Sequence, residues 1–312
     1  MIAEQRLLIV AGPTASGKND LALHLAIRFK GEIVGCDSVQ IYRHFDIGTA
    51  KATAVEREAV PHHLLDVAAP GEEYTAGDYA RQARRVLAEI ASRSRLPIVT
   101  GGTGFYLHAL LYGLFDGPSR NENLRGTLSE KERRRPGSLH RILSRLDPES
   151  AARIHARDVQ KLIRALEVTL TGNAPMSRQF HQGRDSLTGF RSLKLGLNPP
   201  REELYRRLEE RAARMFDDGL IEETRSILER GYLASSKPFA SIGYAQALAH
   251  IRGEISLQEA IALTKLHTRR YAKRQWTWFR REPGIEWLDG FGSDPQLQRR
   301  ACERLEAFLS GN

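Results

Sequence analysis

Short apolar runs alternate with helical periodicities through the first hundred residues. Leu7, Leu8, Ile9 and Val10 form an uninterrupted apolar run, the pattern of a strand buried on both faces. Leu21, Leu25 and Phe29 then recur at i, i+4 and i+8 with Ala22 and Ala26 beside them, which predicts a helix. Glu32 to Asp37 reads as a second strand. Residues 76–94 carry an amphipathic stripe through Tyr79, Ala83, Val86, Leu87 and Ile90. Leu96 to Thr100 reads as a third strand, and a helical pattern through Leu107, Leu110 and Leu111 follows. Strands alternating with helices predict an α/β fold on a parallel sheet flanked by helices.

The pattern changes near Gly117-Pro118. Residues 120–137 are polar and charged, and two short helices follow; the second starts at Asp147-Pro148, an N-cap with proline at the first helical position. A third helix is predicted from Asp158 to about Thr171, closed by Gly172, with Val159, Leu162, Ile163, Leu166 and Leu170 as its stripe. Gln160 and Arg164 share another face of it. Residues 120–184 therefore read as an all-helical insertion within a core formed by 1–119 and 185–312. The sheet resumes at Leu193, Leu195 and Leu197. Pro200 opens a helix with Leu204, Leu208, Met215 and Phe216 inward and Arg207 and Arg211 on its other face. Ser256-Leu257-Gln258-Glu259 is a capping box that starts a long helix to about Arg281. Tyr271, Trp276, Trp278 and Phe279 interleave with its basic residues, which suits stacked bases or core packing. Residues 294–309 form a last amphipathic helix.

Candidate chemistry sits at the strand ends. Gly12-Pro13-Thr14-Ala15-Ser16-Gly17-Lys18 has the G-x-x-x-x-G-K spacing of a phosphate-binding loop between a strand and a helix. The loop amides and the helix N-terminus face one anion, and Lys18 adds a point charge. The next position, usually a Ser or Thr that binds Mg²⁺, is Asn19. By itself the loop specifies a diphosphate or triphosphate and does not select ATP. Asp37 ends the second strand beside Ser38, Gln40 and Tyr42, where open parallel sheets bind ligands; its other reading is a cap for the following turn. Gly101-Gly102-Thr103-Gly104 forms a second glycine-rich loop, and a pocket is expected between the two loops. His62 and His63 are adjacent, so on a strand they point to opposite faces, which favours structural roles over a metal site.

Among 312 residues the only cysteines are Cys36 and Cys302, which fits a reduced, cytoplasmic protein without disulfides. No run is long enough to span a membrane, and the N-terminus enters a strand rather than a signal peptide. Net charge is +9. Arg120 to Arg184 holds 14 basic against 7 acidic residues, and Lys265 to Arg281 holds 7 basic and no acidic ones. Two basic blocks on an otherwise acidic chain point to a polyanionic partner.

Taken together, these stretches resemble the tRNA dimethylallyltransferases (tRNA isopentenyltransferases) over almost the whole chain. Beside the phosphate loop, the matching blocks are Asp37-Ser38-Val39-Gln40-Ile41-Tyr42, Asp46-Ile47-Gly48-Thr49-Ala50-Lys51 and Pro61-His62-His63-Leu64-Leu65-Asp66-Val67. Further on come Gly101 to Tyr106, Arg164 to Val168, Ile242-Gly243-Tyr244 and Lys273 to Arg280. The resemblance implies a P-loop NTPase-like sheet, nucleotide binding of the ATP type, and a helical insertion that grips the anticodon stem. It also implies Mg²⁺-assisted transfer of a dimethylallyl group from dimethylallyl diphosphate to the N6 amine of the adenosine 3′-adjacent to the anticodon, by a monomer. By carry-over, Asp37 matches the general base, Thr103 a residue beside the scissile bond, and Gln40 a reader of the base. Gly12, Pro13, Thr14, Ala15, Ser16, Gly17, Lys18, Asn19 and Arg211 match the diphosphate cradle, with Lys18 also catalytic. Mg²⁺ ligation falls to Asn19 and Ser38. The tRNA contacts map to Asp37, Ser38, Val39, Gln40, Thr103, Arg125, Gln160, Lys161, Leu162, Ile163, Arg164, Ser241, Ile242, Gly243, Tyr244, Gln246, Lys273, Arg274, Gln275 and Arg280. Departures from the family pattern are Asn19, Ala245 in place of a basic residue, and a turn at Gly172-Asn173-Ala174-Pro175 that is one residue longer.

The chemistry is consistent. Diphosphate leaves well once its charge is neutralised, a carboxylate takes the proton of a weakly nucleophilic amine, and the base must be flipped out to react. A P-loop small-molecule kinase would explain the loop but not the basic blocks. A non-catalytic RNA-binding protein would not explain an intact Asp37 and Thr103.

Overall fold

The computed structural model describes residues 4–115, 117–172, 174–180 and 185–311; Asn173 of the long turn and Arg184 at the expected end of the insertion lie outside them. The first part of the chain runs β1 (Gln5–Ala11), α1 (Lys18–Arg28), β2 (Gly31–Gly35), α2 (Ala54–Ala59), β3 (His62–His63), α3 (Ala76–Ser92), β4 (Leu96–Thr100) and α4 (Gly104–Tyr112). Five helices follow: α5 (Glu122–Arg134), α6 (Ser138–Leu146), α7 (Pro148–Arg153), α8 (Val159–Thr171) and α9 (Met176–Phe180). The remainder is β5 (Phe190–Asn198), α10 (Arg201–Asp217), α11 (Leu220–Glu229), α12 (Tyr244–Ile251), α13 (Leu257–Phe279), β6 (Ile285–Asp289) and α14 (Pro295–Ser310), with a 3₁₀ turn at Lys237–Ala240. Two compact units result, Met1–Leu111 with Leu187–Asn312, and Tyr112–Ser186.

In the larger unit six strands form one sheet in the order β3-β2-β4-β1-β5-β6, every pairing parallel. Central β1 pairs with β4 and with β5, which explains its uninterrupted apolar run: Leu7 to Ala11 are at most 1% exposed. Pro97 lies within an interior strand, where a missing N–H is costly. It is tolerated because the β1 register starts only at Leu8↔Ile98, so Pro97 is paired on the β2 side alone. Leu21, Leu25, Ile98, Leu195, Leu197, Leu297 and Leu305 share one apolar core, joining α1 and α14 to the sheet. Each fully buried leucine contributes about 2 kcal/mol relative to exposure. A second cluster of Leu204, Leu208, Ala272, Trp276 and Phe291 fastens α13 onto α10. Trp276 and Phe279 are thus core residues, while Trp278 is exposed. No helix among the described residues is long and apolar enough to cross a membrane.

The unit Tyr112–Ser186 is all helical around Leu128, Leu139, Leu143, Leu162, Ile163 and Leu166. Side chains cap three of its helices: Asp147 caps α7 and Asp158 caps α8 where the sequence starts those helices, and Asn121 caps α5. Asp147 is buried and accepts from Ser150 N, Ser150 Oγ and Ser177 N at 3.1, 2.6 and 2.9 Å, tying α7 to α9.

Burial raises the pKa of Asp147, but its hydrogen bonds with Ser150 and Ser177 outweigh that and hold it below the ordinary 3.8. Its stabilisation is therefore complete above pH 4 and is lost as pH falls through the lowered folded-state value. Asp147→Ala should cost about 2 kcal/mol. It should also speed hydrogen exchange at the Ser150 and Ser177 amides at pH 7, with a smaller difference from the parent at pH 3. Equal protection in both proteins at pH 7 would contradict this.

Candidate active site

β1 delivers the chain to Gly12, and α1 begins at Lys18. Between them Ala15 and Gly17 take φ of 62° and 82°, which wraps the loop tightly. Gly17 is the N-cap of α1 and supplies no side-chain cap, so first-turn amides are open to an anion. A side chain at Gly17 is also excluded sterically: its Cβ would lie 2.8 Å from Gly292 N. Gly292 in turn donates to Ser16 O at 2.9 Å, so the loop after β6 braces the phosphate loop. The Ser16 hydroxyl is buried and has no partner among the described residues, a spare donor inside the cradle.

Lys18 Nζ is buried and donates to Pro13 O at 2.7 Å. Burial, then the neighbouring Arg211 charge, brings its pKa from 10.5 down to about 7, while Asp37 acts in the opposite sense. Arg211, on α10, is likewise held below its ordinary value by burial, again opposed by Asp37. Among the described residues neither cation forms an ion pair. This is an electropositive hole awaiting an anion.

Asp37 follows β2. Its Oδ1 accepts from Val39 N and Gln40 N at 2.9 and 3.3 Å, closing the turn the sequence allowed for. Among the described residues Oδ2 takes no hydrogen bond, so capping and chemistry use different oxygens. Thr103 follows β4. Its N donates to Cys36 O at 3.1 Å, and its Oγ1 accepts from Ser38 N at 3.0 Å and lies 3.4 Å from Ser38 Oγ. A Cβ on Gly101 would collide with the Cys36 carbonyl, so the two strand-end loops touch backbone to backbone.

Helix α13 locks these loops together. Gln275 is buried; its Oε1 accepts from Thr14 N at 2.8 Å and its Nε2 donates to Gly102 O at 2.9 Å. One amide thus joins the phosphate loop to the second glycine loop. Tyr271, one turn earlier, faces Thr103; burial and then the Asp37 charge push its hydroxyl well above its usual pKa, so it stays protonated. The cavity beside these loops has a volume of about 300 Å³. Thr14, Asp37, Ser38, Arg211, Tyr271 and Arg274 form its polar wall, and Leu208, Ala212, Met215 and Ile242 an apolar one.

The expected site residues fall into groups. Lys18, Asp37, Ser38, Thr103 and Arg211 gather around the loops, and Ser241 and Ile242 line the same cavity. Asn19 is exposed on the first turn of α1. Lys273 and Arg274 are exposed on α13 and Arg280 at its C-cap, and Gln160 and Lys161 on α8. Leu162 and Ile163 are instead in the helical core, while Gly243, Tyr244, Gln246 and Gln275 are buried in the larger unit. All six are buried in this conformation. Arg125 and Arg164 both pair with the fully buried Glu167 carboxylate, at 3.0 and 2.7 Å. His62 Nδ1 meets Val60 O and His63 Nε2 meets Glu32, the structural roles expected. Tyr271 and Gly292 were missed as site residues. Tyr271's spacing of four from Gln275 on one helix face was the available signal; Gly292 left none.

The IPP transferase family model matches residues 40–282. A tRNA dimethylallyltransferase of Solibacter usitatus is 59% identical over 97% of this chain and 99% of its own, and that of Koribacter versatilis is 54% identical over 98% and 99%. The crystal structure of the tRNA isopentenylpyrophosphate transferase from Bacillus halodurans matches with a TM-score of 0.71 at 35% identity, covering 99% of this chain and 96% of that one. A eukaryotic dimethylallyltransferase solved acting on tRNA matches with a TM-score of 0.84 at 27% identity, covering 99% and 80%.

The depressed Lys18 pKa has a measurable consequence. An anion in the loop restores its charge, so inorganic diphosphate binding should take up a proton through Lys18 above pH 7 and little below pH 6. Calorimetry at pH 8 in two buffers of different ionisation enthalpy should show more proton uptake for the parent than for Lys18→Met. Identical proton balances would mean that Lys18 is charged before the anion arrives.

Proposed function

The chain belongs to the IPP transferase family, whose relatives are tRNA dimethylallyltransferases, and from that premise we propose that it transfers a dimethylallyl group from dimethylallyl diphosphate to the N6 amine of the adenosine 3′ to a tRNA anticodon. One observation carries the reading: a single cavity brings Asp37, beside the Lys18 and Arg211 charges, against an apolar wall of Leu208, Ala212, Met215 and Ile242. A diphosphate suits the cations and the α1 N-terminus, a five-carbon chain suits the apolar wall, and an amine suits the open Asp37 Oδ2. The names of the relatives favour this reading over a small-molecule kinase.

In this reading the adenine N6 attacks C1 of the donor, the C1–O bond breaks, and diphosphate leaves with the bonding pair. Asp37 Oδ2 takes the N6 proton, while Oδ1 stays committed to the turn and keeps the carboxylate oriented. Lys18, Arg211, the loop amides and the Ser16 hydroxyl receive the growing charge on the leaving oxygen. Thr103 holds Ser38 in place through its Oγ1, and Tyr271 lies beside Thr103 in the polar wall. Mg²⁺, a hard cation suited to oxygen donors, would be held by the oxygens of Asn19 and Ser38 beside the diphosphate. Among the described residues no three His, Cys, Asp or Glu gather into a metal cluster, so phosphate and water would complete its shell. When bound it supplies further charge neutralisation of the leaving group. The tRNA backbone meets the exposed arginines Arg135, Arg141, Arg145, Arg157 and Arg178 of the helical unit and the outer face of α13. The protein acts as a cytoplasmic monomer.

The test is where label goes. Incubated with labelled dimethylallyl diphosphate and unmodified tRNA, the protein should place label on the RNA, and with labelled ATP it should not. Label moved only from ATP to a small acceptor would replace this reading with a kinase. Asp37→Asn should lower single-turnover transfer by about 10²- to 10⁴-fold and leave inorganic diphosphate affinity within a few-fold. Near-normal transfer by that variant would remove Asp37 from the mechanism.

A further inference from the structure

Glu223, on α11, lies outside the cavity lining, yet its carboxylate is engaged by the loop that forms one wall of it. Asp46 N and Ile47 N donate to Glu223 Oε2 at 3.2 and 3.0 Å. The Tyr244 hydroxyl donates to Glu223 Oε1 and accepts from Gly48 N at 3.1 Å. Three successive amides, 46 to 48, are therefore captured by one carboxylate and one phenol. The fit is close: a Cβ at Gly48 would collide with the Tyr244 ring. Gly48 and Thr49 then line the cavity.

With those amides held on one side, the next two carbonyls face Gln40. Gln40 Nε2 donates to Thr49 O at 3.0 Å and to Ala50 O at 3.3 Å. Both amide protons are spent, and a flipped amide would set Oε1 against two carbonyl oxygens. Gln40 is thereby fixed as an acceptor, with no partner on Oε1 among the described residues. Its backbone N is meanwhile held by Asp37 Oδ1.

We infer that Glu223, with Tyr244, is a positioning residue that holds the 46–50 loop and thereby presets Gln40 to present only a hydrogen-bond acceptor to the RNA. The inference rests on the proposed reading of the site as one that modifies a tRNA base. It gives Tyr244 a task inside the protein, and it assigns Glu223 a part that its distance from the cavity conceals.

The experiment is a double-mutant cycle on the full chain, with kcat and KM for tRNA, KM for dimethylallyl diphosphate and affinity for inorganic diphosphate read for each protein. Glu223→Gln keeps size but turns an amide against the loop donors; Tyr244→Phe removes only the hydroxyl and serves as the milder variant. Each should lower kcat/KM for tRNA by about 10- to 100-fold, the scale of a small misplacement in a site, with diphosphate affinity within twofold. Gln40→Ala should show a similar loss, and adding Glu223→Gln to it should cost less than threefold more. Losses that multiply in the double variant would overturn the inference, because Glu223 would then act without Gln40. So would parent-like kinetics in both single variants, or a parallel fall in diphosphate affinity, which marks general destabilisation. The parent protein separates the two levels: no transfer by it refutes the functional reading and this inference with it, whereas normal parent transfer with any overturning pattern refutes the inference alone.

Discussion

Two cations that repel one another, Lys18 and Arg211, share one carboxylate as a nearby countercharge. Burial is the leading reason why both sit below their ordinary pKa, and Asp37 acts against it in each case. A folded chain can keep such an arrangement only where the surrounding backbone is rigid and its remaining dipoles also favour an anion. Here that rigidity has three sources: the buried parallel strands that end at Ala11, Gly35 and Thr100, the backbone contact between Gly101 and Cys36, and the Gln275 amide that spans Thr14 and Gly102. Each fixes a loop that would otherwise collapse inward and neutralise the hole with its own carbonyls, as Pro13 O already does in part for Lys18.

Four acids of this chain, two buried and two half-buried, differ in how fully their oxygens are used. Glu167 takes Asn121 N, Arg125 and Arg164; Asp147 takes Ser150 and Ser177; Glu223 takes two amides and a phenol. All three organise backbone. Asp37 alone among these four has one oxygen committed to a turn and the other open. That asymmetry separates a carboxylate that can accept a proton from those that only hold structure, and it is visible in the coordinates without reference to any relative.

Much of this was legible in the sequence where the signal is local. Uninterrupted apolar runs mark β1 and β4, and Asp147, Asp158 and Ser256 mark helix starts that the structure keeps. The elements that escaped notice have weak local signals. β6 is an edge strand of five residues, mostly half-exposed, and α11 and α12 start at glycines with no side-chain cap. Within the site, Lys18 and Asp37 follow from loop spacing and strand ends. The role of Gln275 does not, because its partner Thr14 is 261 positions away. On α8, spacing places Arg164 on an outer face, and the structure adds what spacing does not show: its guanidinium pairs with the buried Glu167 one turn on.

The sheet order also sets a timetable for synthesis. β1 occupies residues 5–11 but pairs with strands centred near residues 98 and 194, and its phosphate loop is braced by residue 292. Growing from its N-terminus at about 5–20 residues per second, a chain leaves β1 without its β5 neighbour for on the order of ten seconds after β4 has emerged. During that interval the most apolar strand of the protein has one edge unpaired, a hazard for misassociation. The helical segment 112–186 is made in the same interval and builds its core from its own residues alone, so it can fold without waiting for the sheet. The nascent chain is thus most vulnerable at an interior strand, the one from which the phosphate loop springs, until β5 arrives to cover its open edge.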